Sequence, residues 1–313
     1  MSSDPNASCI VCGSSARKSS ELSETELRAL YLADVGHPPG SDVEFSAVAE
    51  YECSDCGLGF SQPMCAGNGA FYEWISKDEP YYPNGRWEFS VLRDILTKQL
   101  RSDIVGLDIG CGSGAFLETV RGLRGVRFSG IDTNATAVRL AISRGLDVRL
   151  EALESVAASS TRFDVVTAFH CLEHVVDPKS FIGYALDLLS EQGSLFVSVP
   201  LTPTVLEIDG FDPRNHSPHH LTRWSESALG ALARTHRAEV SFVHPPVARS
   251  IVRAMFNTTF RFGGGAKGLG AASPAMLTLL HPLHTLKVWR RLRAAVSGGK
   301  PFNDLILCRL QKR

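Results

Sequence analysis

Three groups of residues in this 313-residue chain have types and spacings that could do chemistry. The first is Asp108-Ile109-Gly110-Cys111-Gly112-Ser113-Gly114, followed by Gly130-Ile131-Asp132. The apolar run Ile104–Leu107 leads into the glycines, and Ala115–Val120 leads out with helical spacing. That reads as a strand, a tight turn and a helix, then a second strand ending in a carboxylate. Such an arrangement suits an adenosine-containing ligand laid over Gly110, Gly112 and Gly114, with Asp132 on its ribose hydroxyls. A Cβ on these glycines would hold the ligand away from the backbone. The pattern D-x-G-x-G-x-G differs from the G-x-G-x-x-G of pyrophosphate binders. A tight turn without a ligand is the plainer alternative, and Asp108 and Asp132 weigh against it.

The second group is two cysteine pairs, Cys9-x-x-Cys12-Gly13 and Cys53-x-x-Cys56-Gly57. Paired C-x-x-C knuckles present four thiolates to one tetrahedral zinc and leave no open position, so a structural Zn2+ is expected. Four unrelated buried thiols are the alternative. The 40 residues between Cys12 and Cys53 imply an insertion. Ser23-x-x-Glu26 reads as a capping box opening a helix there, and Val43–Tyr51 as a strand entering the second knuckle.

The third group is histidine-rich: Phe169-His170-Cys171-Leu172-Glu173-His174, and Pro218-His219-His220-Leu221-Thr222-Arg223-Trp224. A histidine near its ordinary pKa can take a proton from an acceptor, and the candidates are His220, His219 and His170. Each could instead be a cap or a hydrogen-bonded core residue. His170, Glu173 and His174 also fall at i, i+3 and i+4, so with His219 or His220 they could hold a divalent metal. That alternative stays open.

These residues need elements to position them. Strands are expected near 104–109, 126–132, 147–150, 163–169, 193–199 and 238–243, with a closing strand from Asp304 to Leu310. Helices are expected near 89–100, 114–122, 134–144, 153–158, 178–190 and 225–235. Alternation of this kind means a parallel sheet covered on both faces. The expected organisation is a zinc-binding module at 1–70, a core at 71–244, a basic, apolar helical insertion or lid at 245–300, and a terminal core strand at 301–313. Phe71–Trp87 is aromatic-rich, and its Tyr82 is a candidate for closing the acceptor pocket.

Composition is ordinary for a soluble chain, with 44% hydrophobic and 21% charged residues. Met1–Ser8 lacks the apolar segment of a secretory signal, and no apolar run is long enough to span a bilayer, so a cytoplasmic location is expected. The net charge of -1 hides a segregation: Val240–Asn303 contains no acid but nine basic residues. With Trp289 and several leucines, this stretch is expected to meet an anionic partner, either a phosphate-bearing substrate or the surface of an anionic membrane.

The glycine turn with Asp108 and Asp132 resembles motif I of class I S-adenosylmethionine (SAM) methyltransferases. With the two histidine segments it is similar to a subgroup that includes quinone-biosynthesis and polysaccharide-locus enzymes. The knuckles ahead of it resemble those of sugar C-methyltransferases, in which a histidine in a short E-H-L segment serves near the acceptor. His219-His220-Leu221 matches that segment, with His219 in place of the acid. Small-RNA terminal 2′-O-methyltransferases are also similar here, with E-x-x-E-H where this chain has His170 for the first Glu. The resemblance implies an α/β, Rossmann-like seven-stranded sheet with helices on both faces, plus a small zinc-ribbon-like module. It implies SAM as cofactor, lined by Gly110, Gly112 and Gly114, with Asp132 on the ribose and Asp108 fixing the loop and meeting the ammonium. Ala152 and Leu153 would flank the adenine, and Phe169 and His170 would lie by the methionine moiety. The implied acceptor is a small molecule or glycan, a sugar that is nucleotide-linked, lipid-linked or part of a polysaccharide, methylated at carbon or oxygen. A nucleic-acid-binding or RNA-methylating protein is the alternative, and the acidic stretch around Glu21–Glu26 speaks against nucleic acid.

Overall fold

The computed structural model describes residues 6–75, 85–98, 103–202, 212–246, 290 and 305–313. Strands β1 (Asn6–Ser8) and β2 (Ser15–Leu22) form an antiparallel hairpin whose turn carries Cys9 and Cys12. Helix α1 (Glu24–Val35) then starts at Ser23. The Ser23 hydroxyl accepts from the Glu26 N–H, and the Glu26 carboxylate accepts the Ser23 N–H at 2.8 Å, which is the expected capping box. Gly36, at φ 81°, ends the helix in the left-handed region. A second hairpin, β3 (Val48–Cys53) and β4 (Gly59–Gln62), carries Cys53 and Cys56, and helix α2 (Gly69–Ile75) follows. The insertion between the knuckles is therefore α1, which buries Leu27 and Tyr31 together with Val43, Phe45, Phe71 and Trp74. Val43 and Phe45 pack as loop residues, so the strand begins at Val48 rather than Val43.

The two turns bring the cysteines together. Sγ of Cys9 lies 3.7 Å from that of Cys56, and Sγ of Cys12 lies 3.4 Å from that of Cys53. All four sulfurs fall within 4.8 Å of one another. Zn–S bonds near 2.3 Å set tetrahedral sulfurs about 3.8 Å apart, so this set could hold zinc. Gly13 and Gly57 follow each pair at φ 78° and 71°, the conformation that turns the chain back after each knuckle.

From Trp87 onward strands and helices alternate: α3 (Trp87–Lys98), β5 (Ile104–Ile109), α4 (Ala115–Val120), β6 (Val126–Asp132), α5 (Ala135–Ser143), β7 (Val148–Leu150), α6 (Leu153–Ala157), β8 (Phe163–Phe169), α7 (Pro178–Asp187) and β9 (Leu189–Pro200). After a two-residue strand β10 (Thr222–Arg223) come α8 (Glu226–Thr235), β11 (Ala238–Val243) and β12 (Leu305–Lys312). The seven-stranded sheet has the order β11-β12-β9-β8-β5-β6-β7. Its strands run parallel from β9 to β7, and β11 pairs antiparallel with β12. These are the expected strands; β9 starts earlier, at Leu189, which ends α7 at Asp187. Phe89, Leu92, Phe116, Val165, Phe169 and Phe196 form one buried cluster between sheet and helices.

Strand β10 does not join this sheet. It adds to the N-terminal one, giving the order β1-β2-β3-β4-β10. A buried carboxylate fixes the join. Glu50 on β3 is 1% exposed, and it meets Nη2 of Arg223 at 2.6 Å, Nδ1 of His216 at 3.4 Å, and the Ser61 hydroxyl at 3.1 and 3.0 Å. Burial works to raise its pKa, but Arg223 and His216 outweigh burial and hold it at about 2.

Contacts divide the chain into two units. One is Met1–Val199 with Pro213–Val243 and Leu307–Arg313; the other is Pro200–Asp212 with His244–Ile306. Tyr82, and all of segment 245–300 except Pro245, Pro246 and Arg290, lie outside the described residues. Among the described residues no helix is long and apolar enough to cross a membrane.

Two outcomes are expected. Protein purified without added metal should carry zinc by elemental analysis, and Cys53→Ser with Cys56→Ser should remove one equivalent of it; unchanged zinc would rule this site out. Arg223→Met should leave Glu50 buried with only His216 and Ser61 as partners, at a cost of up to about 3–5 kcal/mol in urea unfolding. Because the Glu50 pKa is depressed in the folded chain, its stabilisation is present above the ordinary value of 4.5 and is lost as pH falls toward about 2. Over that window Glu50→Gln should lose less stability than the parent chain.

Candidate functional site

Strand β5 is the switch point of the large sheet. The chain passes from β5 to β6 on one side and later to β8 on the other, the place at which open α/β sheets bind ligands, beyond the carboxyl ends of their strands. The glycine turn sits there. Gly110, Gly112 and Gly114 have φ of 66°, 54° and 84°, which L side chains rarely adopt. A Cβ on Gly110 would collide with Sγ of Cys171, and one on Gly114 with Leu146. The turn is held from both flanks. Asp132, at the end of β6, accepts the Gly112 N–H at 2.7 Å with one oxygen and the Asn134 N–H at 2.7 Å with the other. Asp108 is buried beneath, accepting the Thr167 hydroxyl at 2.6 Å; burial, aided by the nearby Asp132 charge, pushes its pKa up to about 7. Ala152 caps α6, with the buried Leu153 next to it. Phe169 ends β8 against Phe89 and Phe116, at ring distances of 5.0 and 4.9 Å.

The histidines separate into two environments. His170 has φ 54°, an unusual backbone for a residue with a side chain. Its Nε2 lies 2.9 Å from Oε1 of Glu88, and its Nδ1 lies 3.3 Å from Oε1 of Glu173. Both carboxylates are 1% exposed. Burial opposes charge on His170, but the two carboxylates prevail and raise its pKa. An imidazolium held in this way has no lone pair for an acceptor proton. The Glu173 contact is close but poorly aligned, and both of its oxygens lack a hydrogen-bond partner among the described residues, as does Oε2 of Glu88. Arg86 approaches Glu88 at 3.8 Å.

His174, His219 and His220 gather on the other side of Glu173. Nδ1 of His174 bonds the His219 carbonyl at 2.7 Å, Nδ1 of His219 bonds the Arg214 carbonyl at 2.7 Å, and Nδ1 of His220 lies 3.0 Å from Oδ1 of Asn215. A carbonyl oxygen only accepts, so Nδ1 carries the proton in these neutral rings. Burial lowers all three pKa values, that of His219 to about 3. One ring nitrogen from each lies within 4.8 Å of the other two. The rings of His219 and His220 stack at 4.4 Å, and that of His174 packs edge-on at 5.0 and 4.8 Å.

Two residues here carried no signal as site residues in the sequence. Glu88 lies in the first turn of α3, and only the fold sets it against His170. Tyr72 of α2 places its ring 6.3 Å from His174 and 6.0 Å from His219, so the aromatic beside this cluster among the described residues is Tyr72. The two clusters adjoin the glycine turn. Cys171 lies against Gly110 and hydrogen-bonds the Ile109 carbonyl at 3.3 Å, and the Leu221 N–H bonds the Glu173 carbonyl at 2.8 Å. The four-cysteine set is a separate centre on the N-terminal hairpins.

Comparison with known proteins agrees with this geometry. The ubiquinone biosynthesis O-methyltransferase of Methylobacterium sp. (strain 4-46) is 34% identical over 119 residues, covering 36% of this chain and 47% of that protein. The protein of the same name from Chromobacterium violaceum is 33% identical over 138 residues, covering 41% and 57%. The chain thus matches about half the length of these curated relatives. The plantazolicin methyltransferase BpumL in complex with SAH superposes with a TM-score of 0.45 at 13% identity, covering 72% of this chain and 82% of that one. A family model described as a methyltransferase domain matches residues 85–244, which span α3, the glycine turn, Asp132 and both histidine segments. The chain belongs to the methyltransferase-domain family.

Proposed function

We propose that this protein transfers the methyl group of SAM to a hydroxyl of a small molecule. The observation that carries the reading is the switch-point crevice, where three left-handed glycines and Asp132 face an acceptor side built from histidines. The residues fit the cofactor. Gly110, Gly112 and Gly114 form the left-handed turn that would carry the cofactor, Asp132 would meet its ribose hydroxyls, and Ala152 and Leu153 would flank its adenine. Asp108, Phe169 and His170 would line the amino-acid end. Bound SAM supplies an activated methyl on a sulfonium, so the chain's own work is alignment, water exclusion and handling of the acceptor proton.

His220 is not the imidazole near its ordinary pKa that the sequence suggested, since burial lowers its pKa; as the base, its neutral ring would take the acceptor's proton only transiently, as the methyl moves. His170, held between Glu88 and Glu173 with its pKa raised, would stand at the cofactor end and not serve as the base. The relatives named for O-methyl transfer support oxygen as the acceptor atom. Among hydroxyl acceptors we favour a sugar, because the cysteine module and the His219-His220-Leu221 segment resemble those of sugar methyltransferases, and here the two are physically joined through β4 and β10. The expected organisation, with module 1–70 and lid 245–300, belongs to this proposal. So do Tyr82 at the pocket and a cytoplasmic site of action with peripheral membrane contact through the basic segment.

Three measurements test the reading. Asp132→Ala should weaken SAM in a calorimetric titration by about 2–4 kcal/mol, the worth of hydrogen bonds to a charged group; unchanged affinity would assign Asp132 a purely structural role. His220→Ala should slow single-turnover methyl transfer by about a hundredfold or more while SAM affinity holds. Full activity would remove His220 from the acceptor side. Incubation with SAM and a panel of nucleotide sugars, glycans and phenols should give one product heavier by a methyl group. A phenol as the best acceptor would overturn the sugar assignment and keep the transferase.

A further inference from the structure

The methyl-transfer reading leaves unexplained why three neutral imidazoles crowd one spot. We propose that His174, His219 and His220 form a divalent transition-metal site, of the class that takes Zn2+, Co2+ or Ni2+, beside the cofactor crevice. The inference goes beyond the four-cysteine centre and uses none of its residues.

Two features of the geometry point to a ligand set. The first is convergence: one nitrogen from each ring lies within 4.8 Å of the other two, and the rings come from two segments far apart in sequence. The second is orientation. Each ring spends its Nδ1–H on a fixed oxygen, the carbonyl of His219, the carbonyl of Arg214 or the amide oxygen of Asn215. Such bonds set the tautomer and aim Nε2, which is how metal-binding histidines are held. Three histidines of this kind would be an odd way to fill a core, where apolar side chains pack without needing three separate acceptors. Imidazole ligands suit zinc and its neighbours rather than magnesium or calcium. Zn–N bonds near 2.1 Å place tetrahedral nitrogens about 3.4 Å apart, so the rings draw together on binding. The buried carboxylate of Glu173, next to His174 in the chain and facing His170, adds negative charge nearby.

Three protein ligands leave a coordination position open. On the methyl-transfer reading, which this part of the inference rests on, the acceptor's hydroxyl oxygen occupies it. With a metal bound, His220 would be a ligand rather than the base, and the acceptor O–H, made more acidic by the cation, would release its proton to solvent. The oxygen's electron pair forms the new O–CH3 bond as the C–S bond breaks, and that bond's pair returns to sulfur, giving a neutral thioether.

Metal titration of the full, metal-stripped chain with Co2+ is the test, read by calorimetry and by electronic absorption. The expected result is a second equivalent beyond the cysteine centre, lacking the thiolate-to-cobalt charge-transfer bands of the first. His219→Ala with His220→Ala should lose only that second equivalent, and Cys53→Ser with Cys56→Ser only the first. A parent chain that binds a single, thiolate-bound equivalent overturns the site, however the variants fold. SAM titration of the same samples separates the two readings: one equivalent with intact SAM binding and turnover sinks the metal site alone. Two equivalents with no SAM binding sink the transferase and keep the site.

Discussion

The buried carboxylate of Glu50 is the constraint from which the histidine cluster is built. A charge at 1% exposure must be paired, and its partners Arg223 and His216 stand on either side of the His219-His220 segment. Satisfying Glu50 therefore pins both ends of that segment to the N-terminal hairpins. The same segment is tied down further by Tyr31, whose hydroxyl donates to the carbonyls of Pro213 and His216 at 2.7 and 3.0 Å. Arg214 pairs with Asp34 at 2.6 Å, and the Gly67 N–H bonds the Pro218 carbonyl. The cysteine module thus acts as a scaffold for histidines that belong, in sequence, to the methyltransferase domain.

This gives zinc a mechanical purpose. The hairpins are short and joined by the β2–β3 ladder, and their turns meet through the four cysteines and the Ser54 N–H bond to the Ser15 carbonyl at 3.0 Å. A metal there would stiffen strands whose edge carries β10, and β10 leads directly out of His219-His220. Loss of zinc would then be felt at the acceptor side before it reached the seven-stranded sheet.

The two halves of the crevice rest on different physics. The cofactor side is backbone: positive-φ glycines, a strand end, and Asp132 accepting two N–H groups. The acceptor side is side chains held by charge and hydrogen bonds. Within it, Glu173 divides the histidines. Toward Glu88, His170 is favoured as a cation; away from it, His174, His219 and His220 are buried as neutral rings. One residue type thus serves two roles because its neighbours differ.

What the sequence by itself determined was local. The glycine turn, the Ser23 capping box, the strand and helix alternation and both cysteine knuckles follow from short-range spacing, and each recurs in the structure at its expected place. A parallel sheet covered on both faces also followed, because alternating strands and helices leave few other ways to bury a core. The tertiary structure alone decided which side chains meet. Glu88 reaches His170 across 82 residues, Glu50 on β3 reaches Arg223 on β10, and Tyr72 stands beside the histidines. No periodicity records such pairings. They arise because burying a charge requires a partner, and the fold alone sets which partner is within reach.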